Sequence, residues 1–192
     1  MHTTYMVTWN TSQIVGFSHN SSTQVVTKNT GVNGWNDNYA RSTDSATVGS
    51  EVIELTFTGS LTGVMLGFNK ATVGYYNTNA NDFSINMAGD QFVVYENGSS
   101  VFNTLQSADG TEQYKIKIEL DGTVKYYLNG TLTYTSTNTA SGTYYVDAHT
   151  WKNGNSSPSD TSLSTSSPAS DSVNAHAHLK PLQVFRRQRD WF

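Results

Sequence analysis

The feature that most limits how this chain can fold is the stretch from Gln113 to Tyr134. Tyr114, Ile116, Ile118 and Leu120 alternate with Lys115, Lys117 and Glu119. Successive side chains of an extended strand point to opposite sides, so this period of two gives one apolar and one charged face. Asp121-Gly122 follows, then Val124, Tyr126 and Leu128 at the same period, then Asn129-Gly130, then Leu132 and Tyr134. Asp-Gly and Asn-Gly pairs supply the positive φ that both central positions of a two-residue hairpin need. The spacing predicts three antiparallel strands joined by two tight turns.

The rest of the chain follows the same grammar. Ile53, Leu55 and Phe57 share one face of a strand, as do Phe83, Ile85 and Met87, and Tyr144, Val146 and Ala148. Val64-Met-Leu-Gly-Phe68 is a continuous apolar run, the pattern of a strand covered on both sides. Phe92 to Tyr95 leads into a turn at Glu96-Asn97-Gly98, and Tyr5, Val7 and Trp9 alternate near the start. Gln13–Ser18 and Gln24–Lys28 complete the set of short strands. No long window carries a helical period. The expected fold is all-β, an antiparallel sandwich or barrel.

Composition removes several function classes. The chain has 192 residues and no cysteine, so neither a disulfide framework nor a thiolate zinc site is available to it. No apolar run approaches the length of a membrane span. Residues 1–165 hold thirteen of the fifteen acidic residues and seven of the eleven cationic ones. Nucleic acid is not an expected partner of so acidic a body. The Ser/Thr/Pro-rich stretch after 156 reads as a linker, and 166–192 as a separate polar, basic and aromatic tail ending in Trp191-Phe192. The first residues have neither the basic start nor the apolar core of a signal peptide.

At Tyr126-Tyr-Leu-Asn-Gly-Thr-Leu-Thr-Tyr134-Thr-Ser136 the chain resembles the concanavalin A-like lectin/glucanase superfamily, with its SPRY-like and laminin-G-like members. Trp35-Asn-Asp-Asn-Tyr-Ala-Arg-Ser42, Val64-Met-Leu-Gly-Phe68, Tyr95-Glu-Asn-Gly98 and Tyr145-Val-Asp147 are similar to further segments of that superfamily, and Asp160–Ser164 to its last strand. The resemblance covers residues 5–165 and implies a jelly-roll sandwich, with Trp35 inside it. Its glucanase branch carries a Glu-x-Asp-x-Glu strand. The nearest match here, Glu51-Val-Ile-Glu54, puts its two carboxylates on opposite faces, so the reading leans away from an enzyme.

Sugar sites combine exposed aromatic rings with planar polar groups. Two loops have that make-up: Tyr75, Tyr76, Asn77 and Asn79 in one, and His149, Trp151 and Asn153 in the other. A calcium ion would draw on loop oxygens, for which Asp37, Asn38, Asp82 and Asp147 are the candidates; no other cofactor is expected. His176-x-His178 in the tail offers two imidazoles and no third ligand nearby. The expected function is a non-catalytic carbohydrate-binding or adhesion module of a surface or virion protein, with a glycan or cell-surface receptor as partner. The alternatives are a SPRY/laminin-G-type protein-interaction domain and a divergent glycoside hydrolase.

Overall fold

The computed structural model describes residues 2–59, 63–70, 74, 81–107 and 109–167. In chain order the strands are β1 (His2–Met6), β2 (Trp9–Val15), β3 (Phe17–Asn20), β4 (Val25–Lys28), β5 (Tyr39–Thr47), β6 (Val52–Thr58), β7 (Val64–Asn69) and β8 (Phe83–Met87). They continue as β9 (Gln91–Glu96), β10 (Ser99–Leu105), β11 (Gln113–Ile118), β12 (Thr123–Leu128), β13 (Thr131–Thr139), β14 (Thr143–Thr150) and β15 (Ser162–Ser166). Among the described residues there is no α-helix.

Two antiparallel sheets form a sandwich. One runs β1-β15-β6-β11-β12-β13, the other β10-β9-β8-β7-β14-β5-β2, and β3 and β4 make a separate hairpin. The apolar positions set by the period of two meet between the sheets. Ile53, Leu55, Phe57, Tyr114, Ile116 and Ile118 come from the first sheet, and Val64, Leu66, Phe68, Tyr144, Val146 and Ala148 from the second. Phe92 of the second sheet stacks on Tyr114 of the first, ring centroids 6.1 Å apart. Each fully buried valine, leucine, isoleucine or phenylalanine among them contributes about 1.5–3 kcal/mol of transfer free energy.

The Gln113–Tyr134 meander forms in the expected order, with Ile116 opposite both Leu55 and Tyr126. Its second turn is as predicted. Asn129 and Gly130 have φ of 51° and 77°, and Leu128 faces Thr131 directly across the turn. Asn97-Gly98 repeats this geometry between β9 and β10. The first turn differs. Only Gly122 takes a positive φ there, and its N–H bonds the Glu119 carbonyl at 2.9 Å. Leu120 and Asp121 are the turn centre, so Leu120, expected on the apolar face, is 37% exposed. A side chain at Gly122 would meet the Ala140 carbonyl oxygen, which selects glycine.

β15 is short, with Leu163 as its one large apolar residue, fully buried. It holds its place by pairing on both sides, with β1 and with β6. It runs through Ser166, one residue beyond the 165/166 boundary set by composition. Glu96, read as the start of a turn, is buried and ties the sheets together. It accepts from Tyr126 Oη at 3.0 Å, Ser136 Oγ at 2.9 Å and Asn138 Nδ2 at 2.7 Å.

Candidate functional site

Two loops meet at one end of the sandwich. One connects β4 to β5 through residues 29–38; the other leaves β14 at Trp151 and leads to β15. Both are rich in asparagine and glycine, which suit turns and cannot extend a sheet. They are bonded to one another. Gly34 N–H donates to the Trp151 carbonyl at 2.7 Å, Gly31 N–H to Asn153 Oδ1 at 3.1 Å, and Asn153 N–H to Asn33 Oδ1 at 3.2 Å. Trp151 N–H bonds the Gly63 carbonyl, and a Cβ at Gly63 would lie 2.9 Å from that of Trp151. The outcome is an aromatic pair at the surface: the Trp35 and Trp151 rings lie 5.8 Å apart, tilted by 57°, with Trp151 44% exposed.

Beneath the pair sits Lys28, whose side chain is 0% exposed. Its ammonium donates to the Gly34 carbonyl at 2.5 Å, Asp37 Oδ1 at 2.6 Å and the Trp151 carbonyl at 3.1 Å, with the Thr150 carbonyl at 3.4 Å. Burial works to raise the Asp37 pKa, but hydrogen bonds from Lys28, Thr30 and Asn38 and the Lys28 charge outweigh it and hold the carboxyl below its usual value. The Asn38 amide lies in the same knot, donating to Asp37 Oδ1 and the Thr150 carbonyl and accepting from Thr150 N–H.

The knot adjoins the face of the second sheet that points away from the core. Register places His149, Met65, Asn86 and Val93 in one row there, and Asp147, Gly67, Ser84 and Tyr95 in the next. Arg41 pairs with Asp147 through two hydrogen bonds, Nε to Oδ1 at 2.7 Å and Nη2 to Oδ2 at 2.8 Å. Loss of water raises the Asp147 carboxyl to about 6 in spite of Arg41. Burial pushes the His149 imidazole down to about 4. Gly67 is required where it sits, since a Cβ would fall 2.1 Å from the Phe83 carbonyl oxygen.

The predicted site residues separate. Trp151 and Asn153 are exposed in one loop. His149 is fully buried, with Nδ1 3.2 Å from the Asn38 carbonyl oxygen, so it supports the surface from beneath and cannot touch a ligand there. The period of two puts it on the outer face of its strand with Tyr145 and Asp147, and that face is itself covered at His149 and Asp147. Trp35, expected in the core, lies half-buried in its loop against Trp151. Tyr75, Tyr76, Asn77 and Asn79 lie outside the described residues, as do His176 and His178. The carboxylates among the four calcium candidates each have partners within the protein. Asp37 is engaged by Lys28, Asp147 by Arg41, and Asp82 by the Lys70 N–H. Among the described residues no three His, Cys, Asp or Glu side chains converge as metal ligands. Glu54, of the glucanase-like pair, faces outward on the first sheet and pairs with Lys115 at 3.2 Å.

Sequence reasoning missed Lys28 and Arg41. The signal for Lys28 was its period-two spacing from Val26, which is also fully buried. A concavity of about 530 Å³ lies away from these loops, on the outer face of the first sheet between Thr56, Lys115, Lys117, Tyr127, Asp160 and Ser162.

The architecture has known counterparts. The chain superposes on the SPRY domain of human HERC1 with a TM-score of 0.53 and 13% identity, over 84% of this chain and 98% of that one. The fold is a concanavalin A-like jelly roll. The TRIM65 PSpry domain superposes with a TM-score of 0.55 and 12% identity, over 85% and 90% of the two chains. The carbohydrate-binding module CBM66 from Bacillus subtilis gives 0.48 and 14%, over 84% and 94%. No family model matches the sequence, and no curated protein matches it.

Proposed function

We propose that this jelly roll is a non-catalytic recognition module that binds a glycan at the loop end carrying Trp151 and Trp35, on a cell or virion surface. The observation that carries the reading is the indole pair, Trp151 exposed and Trp35 half-buried, in loops rich in asparagine. A sugar ring stacks its C–H face on an indole while carboxamides pair with its hydroxyls. The carboxylates point the same way. Glu54 is engaged by lysine, Asp147 by Arg41, and Glu96 by three neutral donors, so each of these is already held by partners within the protein. Single contacts of this kind bind weakly, and repetition of the module on a surface raises the avidity.

A second reading, protein recognition at the same loops, is favoured by Val32. It is 59% exposed in the same loop as Trp35 and offers apolar contact that a sugar does not need. A glycan array probed with the full chain separates the two. The expected result is saturable, sugar-competed binding that Trp151→Ala removes without lowering the melting temperature. A blank array from folded protein overturns the glycan reading and leaves protein recognition.

A further inference from the structure

Lys28 stands out as the most completely buried charge at the loop end. An unpaired buried ammonium is costly, and such a group persists only where oxygen acceptors replace its water. Here they are one carboxylate and three backbone carbonyls, an all-oxygen donor set of the kind that hard metal cations take. The acceptors belong to two separate stretches of chain: the 29–38 loop, and residues 150–151 where β14 runs into the loop after it. Two of them bear directly on the indoles, since Gly34 precedes Trp35 and the Trp151 carbonyl is held by both Lys28 Nζ and Gly34 N–H.

We propose that Lys28 is the built-in cation of this site. Its ammonium occupies the position that a bound metal ion would fill, and it sets the mutual placement of Trp35 and Trp151. The surface therefore needs no exogenous cation to take its binding geometry. This rests on reading the loop end as the recognition surface, but the geometry it asserts can be measured with no ligand present. Lys28 is a positioning residue. It lies beneath the surface and makes its contribution through the two loops it holds together.

Two indoles this close couple their electronic transitions, giving a paired band in far-ultraviolet circular dichroism that depends on their relative orientation. Trp35→Phe assigns the band by removing it. In the wild-type chain the band should be unchanged by chelator and by added calcium or potassium. Lys28→Met should abolish it while the sandwich still melts cooperatively. Lys28→Ala should lose it and regain it saturably with propylammonium, which supplies the atoms removed, and not with the bulkier tetramethylammonium. Survival of the band in Lys28→Met overturns the proposal. So does a saturable response of the wild-type band to calcium or potassium, which keeps the test decisive if the Lys28 variants fail to fold. The glycan array reports separately. A blank array with the expected spectra removes the glycan reading and leaves the role of Lys28 intact; a positive array with the band surviving in Lys28→Met does the reverse.

Discussion

On the outer face of the first sheet, Glu54 and Glu119 interleave with Lys115, Lys117 and Lys125 at 2.9–3.9 Å, all partly open to water. On the outward face of the second sheet, Arg41 and Asp147 make one pair at 2.7 Å with side chains 5% and 1% exposed. The residue types and distances are alike. In water such pairs gain little, because solvent already stabilises each charge. Inside, each charge has given up its hydration, so the pair adds little net stability, but either partner left alone is severely destabilising. The first face can vary freely. The second cannot lose one partner without the other.

The largest test of this contrast is Asp147→Ala, which strands the Arg41 guanidinium. Urea denaturation should show a loss of about 3–5 kcal/mol, much of it recovered when Arg41→Met is added. A loss under about 1 kcal/mol would mean that water reaches the pair and that the two faces do not differ. Next is His149. Burial lowers its pKa from 6.5 to about 4, the Asn38 carbonyl opposes the shift, and the Arg41 charge adds to it. The folded state thus disfavours the proton. The contribution of the neutral ring is fully present above about 6.5 and is lost as the pH falls through about 4. The stability difference between wild type and His149→Gln should shrink by about 1.4 kcal/mol per pH unit across that window. A constant difference would place His149 in contact with water.

Asn86 sharpens the comparison further. Its side-chain oxygen accepts no hydrogen bond among the described residues, although the residue is buried. Asn86→Leu removes that unmet acceptor and should raise stability by about 1 kcal/mol in the same urea assay. Destabilisation instead would show that the carboxamide is satisfied in solution. Smallest is Lys117→Gln on the hydrated face, expected within about 0.5 kcal/mol of wild type. A larger loss would make the exposed lattice of lysines and glutamates a cooperative network.

Much of the architecture was legible because strand signals are local. The meander from Gln113, the type I′ turns at Asn97-Gly98 and Asn129-Gly130 and the doubly covered β7 all follow from residues within a few positions of one another. The Asp121 turn was misjudged because Asp-Gly fits two hairpin geometries. The turn that forms is also tied to a distant residue, the Ala140 N–H donating to the Gly122 carbonyl from eighteen positions away. At the candidate site Trp151 and Asn153 were legible as an aromatic beside an amide in a loop. Trp35 and Lys28 were not, because their partners are distant in sequence: Lys28 and Trp151 are 123 positions apart.

By itself, the sequence determined that the chain forms an antiparallel sandwich and which residues of each strand point the same way. Alternation is a property of the strand alone and survives any choice of neighbours. Only the tertiary structure decided what covers each face. A period of two says that Asp147 and His149 share a side; it cannot say that this side is also buried. It cannot say either that Asp147 meets Arg41 from 106 positions away, or that a lysine closing one short strand lies under two tryptophans from separate loops. Burial is a property of the assembled surface, and charge takes its energetic meaning from burial.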